Sequence, residues 1–193
     1  MASGSETRAK LLRSAGLTFD IIPPHVDELT VKEALVAEGV RPRDLADALA
    51  ELKAAKVSMS HPGALVIGSD QILVFEGKII SKSSDIAEAK ALLQRLSGHR
   101  HQLLTAVVLA RSGAIVWRHV ASAELVVRSL SDDFIDRYLA SQGEAVLSSV
   151  GCYQLEGEGI QLFSQIDGDY FGILGLPLLP LLNALRDMGA LPA

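Results

Sequence analysis

The chain has 193 residues, 49% of them hydrophobic and 21% charged, with a formal net charge of -5. That length supports a sizeable core, and the composition is globular rather than disordered. An acidic balance excludes the broad basic footprint of a nucleic-acid binder, so a polyanionic ligand needs a local cation cluster or a metal, and a small phosphorylated molecule fits better than a duplex. The lone cysteine, Cys152, excludes an internal disulfide framework and agrees with a reducing compartment. No apolar leader run opens the chain, and the leucine-rich stretch from Ile173 to Leu185 is broken by Pro177 and Pro180 and is too short to span a bilayer. A cytoplasmic protein with neither membrane nor nucleic-acid partners is expected.

Helical periodicity runs from Glu6 to Ala15 and stops at Gly16, with Ser5 as the cap of the first turn. Around that cap, Ser3, Gly4 and Arg8 gather hydroxyls, amides and a cation, as an anion site would. "LTFDII" reads as a strand ended by Pro23 and Pro24, and "RPRDLADALAELKAAKV" as a helix whose core stripe is Leu45, Leu49 and Leu52, with Lys53 and Lys56 beside it. "GALVIGSDQILVF" predicts strand interrupted at Gly68, Ser69 and Asp70, and "EGK" at 76–78 a turn into a short strand. Asp85 caps a helix running to Ser97, with Gly98 closing it. From Gln102 to Arg128, three apolar runs separated by Ser112-Gly113 and by His119 read as antiparallel strands. "SDDFIDRYLAS" is a short amphipathic helix capped by Ser131, "GCYQLEGEG" leads into the apolar "IQLFSQI", Gly168 turns the chain, and "PLLPLLNALRDMG" closes it as a helix with proline at its start. The mixture favours a layered α/β fold with a mixed sheet.

The sharpest chemical signal is "VIGSDQ", which sets Asp70 where an apolar strand gives way to a loop. A carboxylate there holds a metal, activates water, or simply caps a turn. Glu28, after Asp27 in "PPHVDE", lies just beyond the first strand, and two carboxylates from separate segments could share one Mg²⁺, leaving its other positions to phosphate and water. Lys53 and Lys82 are candidate phosphate ligands, although most lysines are surface residues. His25, His61, His99, His101 and His119 lack metal-binding spacing, Ser69 lacks a nucleophile elbow, and neither a dinucleotide fingerprint nor a P-loop occurs. Cys152 reads as a small buried hydrophobe.

Taken in order, these residues resemble the Maf family of nucleoside triphosphate pyrophosphatases. The family's A-S-x-S-P-R-R-x-x-L-L is matched at Ala2, Ser3, Ser5, Arg8, Leu11 and Leu12, its D-E at Asp27 and Glu28, its K-A at Lys53 and Ala54, and its G-[AS]-D-[TQ] at Gly68 to Gln71. Lys82 stands for the G-K-P lysine, while Leu96, Ser97, Gly98 and His101 match L-S-G-x-x-H. Gly151, Tyr153, Leu155, Glu156 and Gly157 match the late glycine motif, followed by G-D-Y at 168–170 and G-L-P-L at 175–178.

The resemblance implies a single domain over 1–193 with two lobes: a Maf/ITPase-like α/β fold whose mixed, largely antiparallel sheet is flanked by helices around a central cleft. It implies hydrolysis of a nucleoside triphosphate to monophosphate and pyrophosphate with a divalent cation, Mg²⁺ or Mn²⁺, and a homodimer. Asp70 would accept the proton of the attacking water, and Glu28 and Asp70 would place the metal. Ser3, Ser5, Arg8, Lys53 and Lys82 would hold the phosphates, each such group being worth about 3 kcal/mol of barrier. Thr7, Gln71 and Glu156 fall at the base-selecting positions. Ser69-Asp70-Gln71 with Glu156 is similar to the branch preferring 7-methyl-GTP, and a carboxylate can accept both the ring N–H and the amino group of guanine.

Glu6 and Thr7 replace the family's proline and first arginine, which removes one cation and sets an acid near the expected phosphates. Ser81-Lys82-Ser83 replaces G-K-P, Gln154 replaces a lysine, and Met1 directly before Ala2 leaves almost no room for the first strand. These departures motivate the competing expectation, a catalytically weak nucleotide-binding protein that regulates cell division through a partner.

Overall fold

The computed structural model describes residues 1–192. Its helices are α1 (Glu6–Ser14), α2 (Glu28–Ala37), α3 (Pro42–Ser60), α4 (Ile86–Leu96), α5 (Asp132–Gln142), α6 (Tyr170–Ile173) and α7 (Leu178–Asp187). Its strands are β1 (Val66–Phe75), β2 (Lys78–Ile80), β3 (Arg100–Arg111), β4 (Ala114–Val127) and β5 (Phe163–Asp167), in the spatial order β2-β1-β3-β4-β5. β1 pairs antiparallel with β2, and β4 with β5. β3 and β4 are joined only by Ser112 and Gly113, both at positive φ (51° and 83°), a two-residue link that makes neighbouring strands antiparallel. An isolated parallel bridge joins Ala2 and Gly68. The α/β class and the largely antiparallel sheet agree with expectation.

Several elements differ from the sequence reading. "LTFDII" forms no strand: Ile22 N donates to Met1 O at 3.0 Å and Met1 N to Asp20 O at 2.6 Å, while Leu17 and Phe19 pack on the core. The alternation of apolar residues is satisfied there by packing without a ladder. β1 runs unbroken through Gly68, Ser69 and Asp70, so Asp70 sits within a strand and caps no turn. The stretch from Gln102 to Arg128 contains two long strands, not three, because His119 continues β4. Helix α2 was not expected at all.

The chain divides into two compact units, with divisions inside β1, β3 and β4 and a further one between Gly168 and Asp169. The first comprises Met1–Gln71, Leu104–Ala121 and the described residues from Asp169 on. Its core gathers Leu12 from α1, Ile67 from β1, Val107 and Leu109 from β3, and Leu176, Leu181 and Leu185 at and within α7. Helix α3 begins with Pro42 in its first turn, and its buried face is Leu45, Ala46, Leu49, Ala50, Lys53, Ala54 and Val57, whereas Leu52 is only half-buried and Lys56 is exposed. The small residues of that face have a purpose. A Cβ added at Gly68 would lie 2.4 Å from Ala50 O and 2.8 Å from Ala54 Cβ, so α3 approaches β1 more closely than any side chain at 68 would allow.

The second unit comprises Ile72–Leu103 and Ser122–Gly168. Asp85 caps α4 by accepting from Glu88 N at 2.8 Å, Ser131 caps α5, and Lys90 ties the two helices through Asp136 at 2.6 Å. His101, Tyr153 and Phe163 form its aromatic cluster.

Candidate active site

Lys53 lies on the buried face of α3 and is only 6% exposed. Its Nζ stands 2.7 Å from Asp70 Oδ1 and 2.7 Å from Glu28 Oε2. Asp70 is buried on β1, whereas the Glu28 side chain, in the first turn of α2, is half exposed. A buried ammonium needs an anionic partner, and two carboxylates sharing it have their mutual repulsion offset. Asp27 sets the start of α2 by accepting from Thr30 N at 3.1 Å and Thr30 Oγ1 at 2.9 Å, and these bonds hold its carboxyl below the usual range. Glu28 is therefore placed by a helix cap rather than by a strand end.

Lys32, one turn further along α2 and on the same face as Glu28, is half-buried. Burial pulls its pKa down, and the field of Asp70 opposes that shift. Sequence reasoning missed Lys32. The signal was an i,i+4 spacing from Glu28, visible only once Asp27 is recognised as a helix cap.

Alternation along β1 sends Asp70 towards α3 and its neighbours the other way. Ser69 Oγ donates to Ala106 O at 2.7 Å and to Gly175 O at 3.0 Å. Arg8, one turn into α1, donates from Nε to Gly175 O at 2.6 Å and from Nη1 to Ser69 O at 3.0 Å and Ser3 Oγ at 3.3 Å. Ser3 Oγ also accepts from Ser5 N at 3.2 Å, and Ser5 Oγ caps α1 through Arg8 N at 3.4 Å. The expected loop of Ser3, Ser5 and Arg8 is thus one hydrogen-bonded unit. Burial pushes the Arg8 pKa down, the carboxylates of Asp70 and Glu28 oppose this, and a guanidinium stays charged in any case.

Glu6 does not crowd that unit. It is exposed and pairs with Arg13 at 3.2 Å, so the acid expected near the phosphates is engaged along the outer face of α1. Thr7 is half-buried in the same helix. In the second unit, Lys82 is exposed two residues beyond β2, Glu156 is exposed in the loop before the short turn Glu158–Leu162, and Cys152 is fully buried.

Glu28 and Asp70 suit a divalent cation in one respect: both carboxylates already converge on a single positive charge. Hard oxygen donors in that number match Mg²⁺ or Mn²⁺, which complete their shells with phosphate and water. Among the described residues no cluster of three or more histidine, cysteine, aspartate or glutamate side chains is built to hold a metal alone. No helix among them is long and apolar enough to cross a membrane.

The comparisons extend over this whole framework. A protein of Caulobacter vibrioides named nucleoside triphosphate pyrophosphatase is 54% identical over 191 residues, covering 99% of this chain and 96% of that protein. One of Rhizobium meliloti named 7-methyl-GTP pyrophosphatase is 52% identical over 193 residues, covering 100% of this chain and 97% of the relative. A Ruegeria pomeroyi protein, also named nucleoside triphosphate pyrophosphatase, is 50% identical over 191 residues, covering 99% of this chain and 96% of its own length. The family described as Maf-like protein matches residues 1–188, a span that takes in the α1 cap, Glu28, the α3 lysine and the β1 aspartate together, and the chain belongs to that family.

Proposed function

We propose that the protein hydrolyses a nucleoside triphosphate to the monophosphate and pyrophosphate, with 7-methyl-GTP as the preferred substrate. The observation that carries this reading is the convergence of Glu28 and Asp70 on Lys53, flanked by the Ser3, Ser5 and Arg8 unit. Asp70 accepts the proton of the attacking water. Lys53 keeps the two acids together while the site is empty of substrate, and Arg8 with the Ser3 and Ser5 hydroxyls binds the phosphates. Charge growing on the leaving pyrophosphate then meets cations already in place, so little reorganisation is needed during the reaction. A divalent cation held by Glu28 and Asp70 would supply further stabilisation of phosphate charge.

Lys82 is assigned to phosphate as well, and Glu156 to the base, on the family resemblance. The preference for 7-methyl-GTP is supported by the Ser69-Asp70-Gln71 and Glu156 combination and by the name of the Rhizobium meliloti relative.

The test is pyrophosphate release by purified protein across a panel of ordinary and modified triphosphates, with Mg²⁺ or Mn²⁺ and then with excess EDTA. Metal-dependent release that Asp70→Asn loses supports the assignment, and release unaffected by EDTA removes the metal. If Glu156→Gln leaves the 7-methyl-GTP to UTP rate ratio unchanged, Glu156 does not read the base. Nucleotide binding without any release would favour the regulatory reading instead.

A further inference from the structure

The amino group of Gln71 is engaged by the protein itself. Its Nε2 lies 2.9 Å from Thr105 Oγ1, 3.1 Å from Gly172 O and 3.0 Å from Ile173 O, so both of its hydrogens have acceptors within the first unit. Thr105, on β3 and 1% exposed, passes its own hydroxyl hydrogen to Gly172 O at 2.9 Å. Asp169 closes the same turn by accepting from Gly172 N at 2.6 Å. Three residues later, Gly175 O accepts from both Arg8 Nε and Ser69 Oγ. Segment 169–175 is therefore a brace, fastened at one end by Gln71 and Thr105 and at the other by the guanidinium of Arg8.

A guanidinium is a rigid planar fork, and fixing Nε against one carbonyl and Nη1 against another fixes its plane. Small displacements of such a group are expensive when it must meet phosphate oxygens at hydrogen-bond distance. We propose that Thr105 and Gln71 are positioning residues for phosphate binding, acting through segment 169–175 on the orientation of Arg8. The proposal rests on the pyrophosphatase reading for the role of Arg8. It commits the amino group of Gln71 to the brace and leaves any contact of Gln71 with a nucleobase to its amide oxygen.

Thr105→Val keeps the side-chain shape and removes the hydroxyl, whereas Thr105→Ser keeps the hydroxyl. The measurements are the Kd of inorganic tripolyphosphate by calorimetry and the KM and kcat for the triphosphate, in the unmodified protein, both Thr105 variants, Arg8→Ala, and Thr105→Val combined with Arg8→Ala. Thr105→Val should weaken tripolyphosphate binding about tenfold and raise KM in parallel, with kcat reduced less than about threefold, and Thr105→Ser should restore both, as coupled contacts behave in a double-mutant cycle. In the Arg8→Ala background the same change should have an effect of less than about twofold. An unchanged Kd in Thr105→Val, or an equal loss with and without Arg8, overturns the proposal.

Should circular dichroism show Thr105→Val unfolded, Gln71→Met is compared in both Arg8 backgrounds against the same expectations. Tripolyphosphate binding without pyrophosphate release from any triphosphate would sink the functional reading while the cycle still decides the positioning. Absence of tripolyphosphate binding in the unmodified protein sinks both.

Discussion

Lys53 Nζ sits 2.7 Å from Asp70 Oδ1 although 17 residues separate them and one lies on a helix, the other on a strand. Glu28 reaches the same nitrogen from the start of a second helix. Three segments of the first unit are thus tied at one charge, and the tie has separable structural and catalytic consequences.

Replacing Asp70 by Asn keeps the shape and removes the carboxylate proposed as proton acceptor, so kcat for pyrophosphate release should fall by about 10²- to 10⁴-fold. Its melting temperature should fall less than that of Lys53→Met, because the asparagine Oδ1 can still accept from Lys53 Nζ and the Glu28 carboxylate still faces the ammonium. The latter leaves Asp70 buried without its cation and should lose about 2 kcal/mol, or roughly 4 to 8 °C in a chain of this size. Thermal unfolding of both variants separates the two effects, and equal melting temperatures would refute the structural role of the lysine.

Gly68→Ala should be among the most damaging single changes in the first unit. The new Cβ would meet the Ala50 carbonyl and the Ala54 backbone nitrogen, at 2.4 and 2.8 Å, and a helix backbone cannot swing aside as a side-chain tip can. Overpacking of this kind costs about 1 to 3 kcal/mol. Urea unfolding should show that loss, together with an activity loss larger than the unfolded fraction explains.

Stability should also fall with pH through the histidine range. His101 is 2% exposed, its Nε2 lies 2.7 Å from Tyr153 Oη, its Nδ1 has no partner among the described residues, and burial pushes its pKa down to about 4 from 6.5. Between those values the unfolded chain takes up a proton that the folded one refuses. The contribution is therefore complete above pH 6.5 and declines as the pH drops towards 4, by up to about 1.4 kcal/mol per unit. Denaturant midpoints at pH 7.5 and 5 should show the decline, and a His101→Leu, Tyr153→Phe double variant should flatten it.

Cys152 should resist alkylation in the folded protein and react on unfolding. Burial raises its thiol pKa against the opposing pull of the Ser83 hydrogen bond, and the residue is shielded from solvent, so little thiolate is presented to reagent. Labelling in the native state as fast as in urea would contradict this.

Local chemistry made much of the fold legible. Ser5, Asp85 and Ser131 are side chains that satisfy helix amides, and each was identifiable because capping needs only residue type and an adjoining periodic run. Where the reading failed, partners distant in sequence decided the outcome. "LTFDII" has strand chemistry but no neighbouring strand to complete a ladder, and Gly68 looks like a loop residue until α3 is packed against it. The first stretch of α2 was hidden because Glu28 reads as a residue just beyond a strand, which also concealed Lys32. At the site, the residue types of Asp70, Lys53 and Arg8 pointed to phosphate chemistry, but the direct Lys53 link between the two acids and the brace from Thr105 to Arg8 depend on side-chain direction, which spacing does not encode.

The missing side chain at residue 68 also bears on how such a site can diversify. Lys53 and Asp70 are held at their separation by two bare main chains lying against each other, so the gauge of the charged contact is the thickness of the polypeptide itself. A substitution elsewhere in the site that leaves residue 68 and the small face of α3 untouched leaves that gauge as it is.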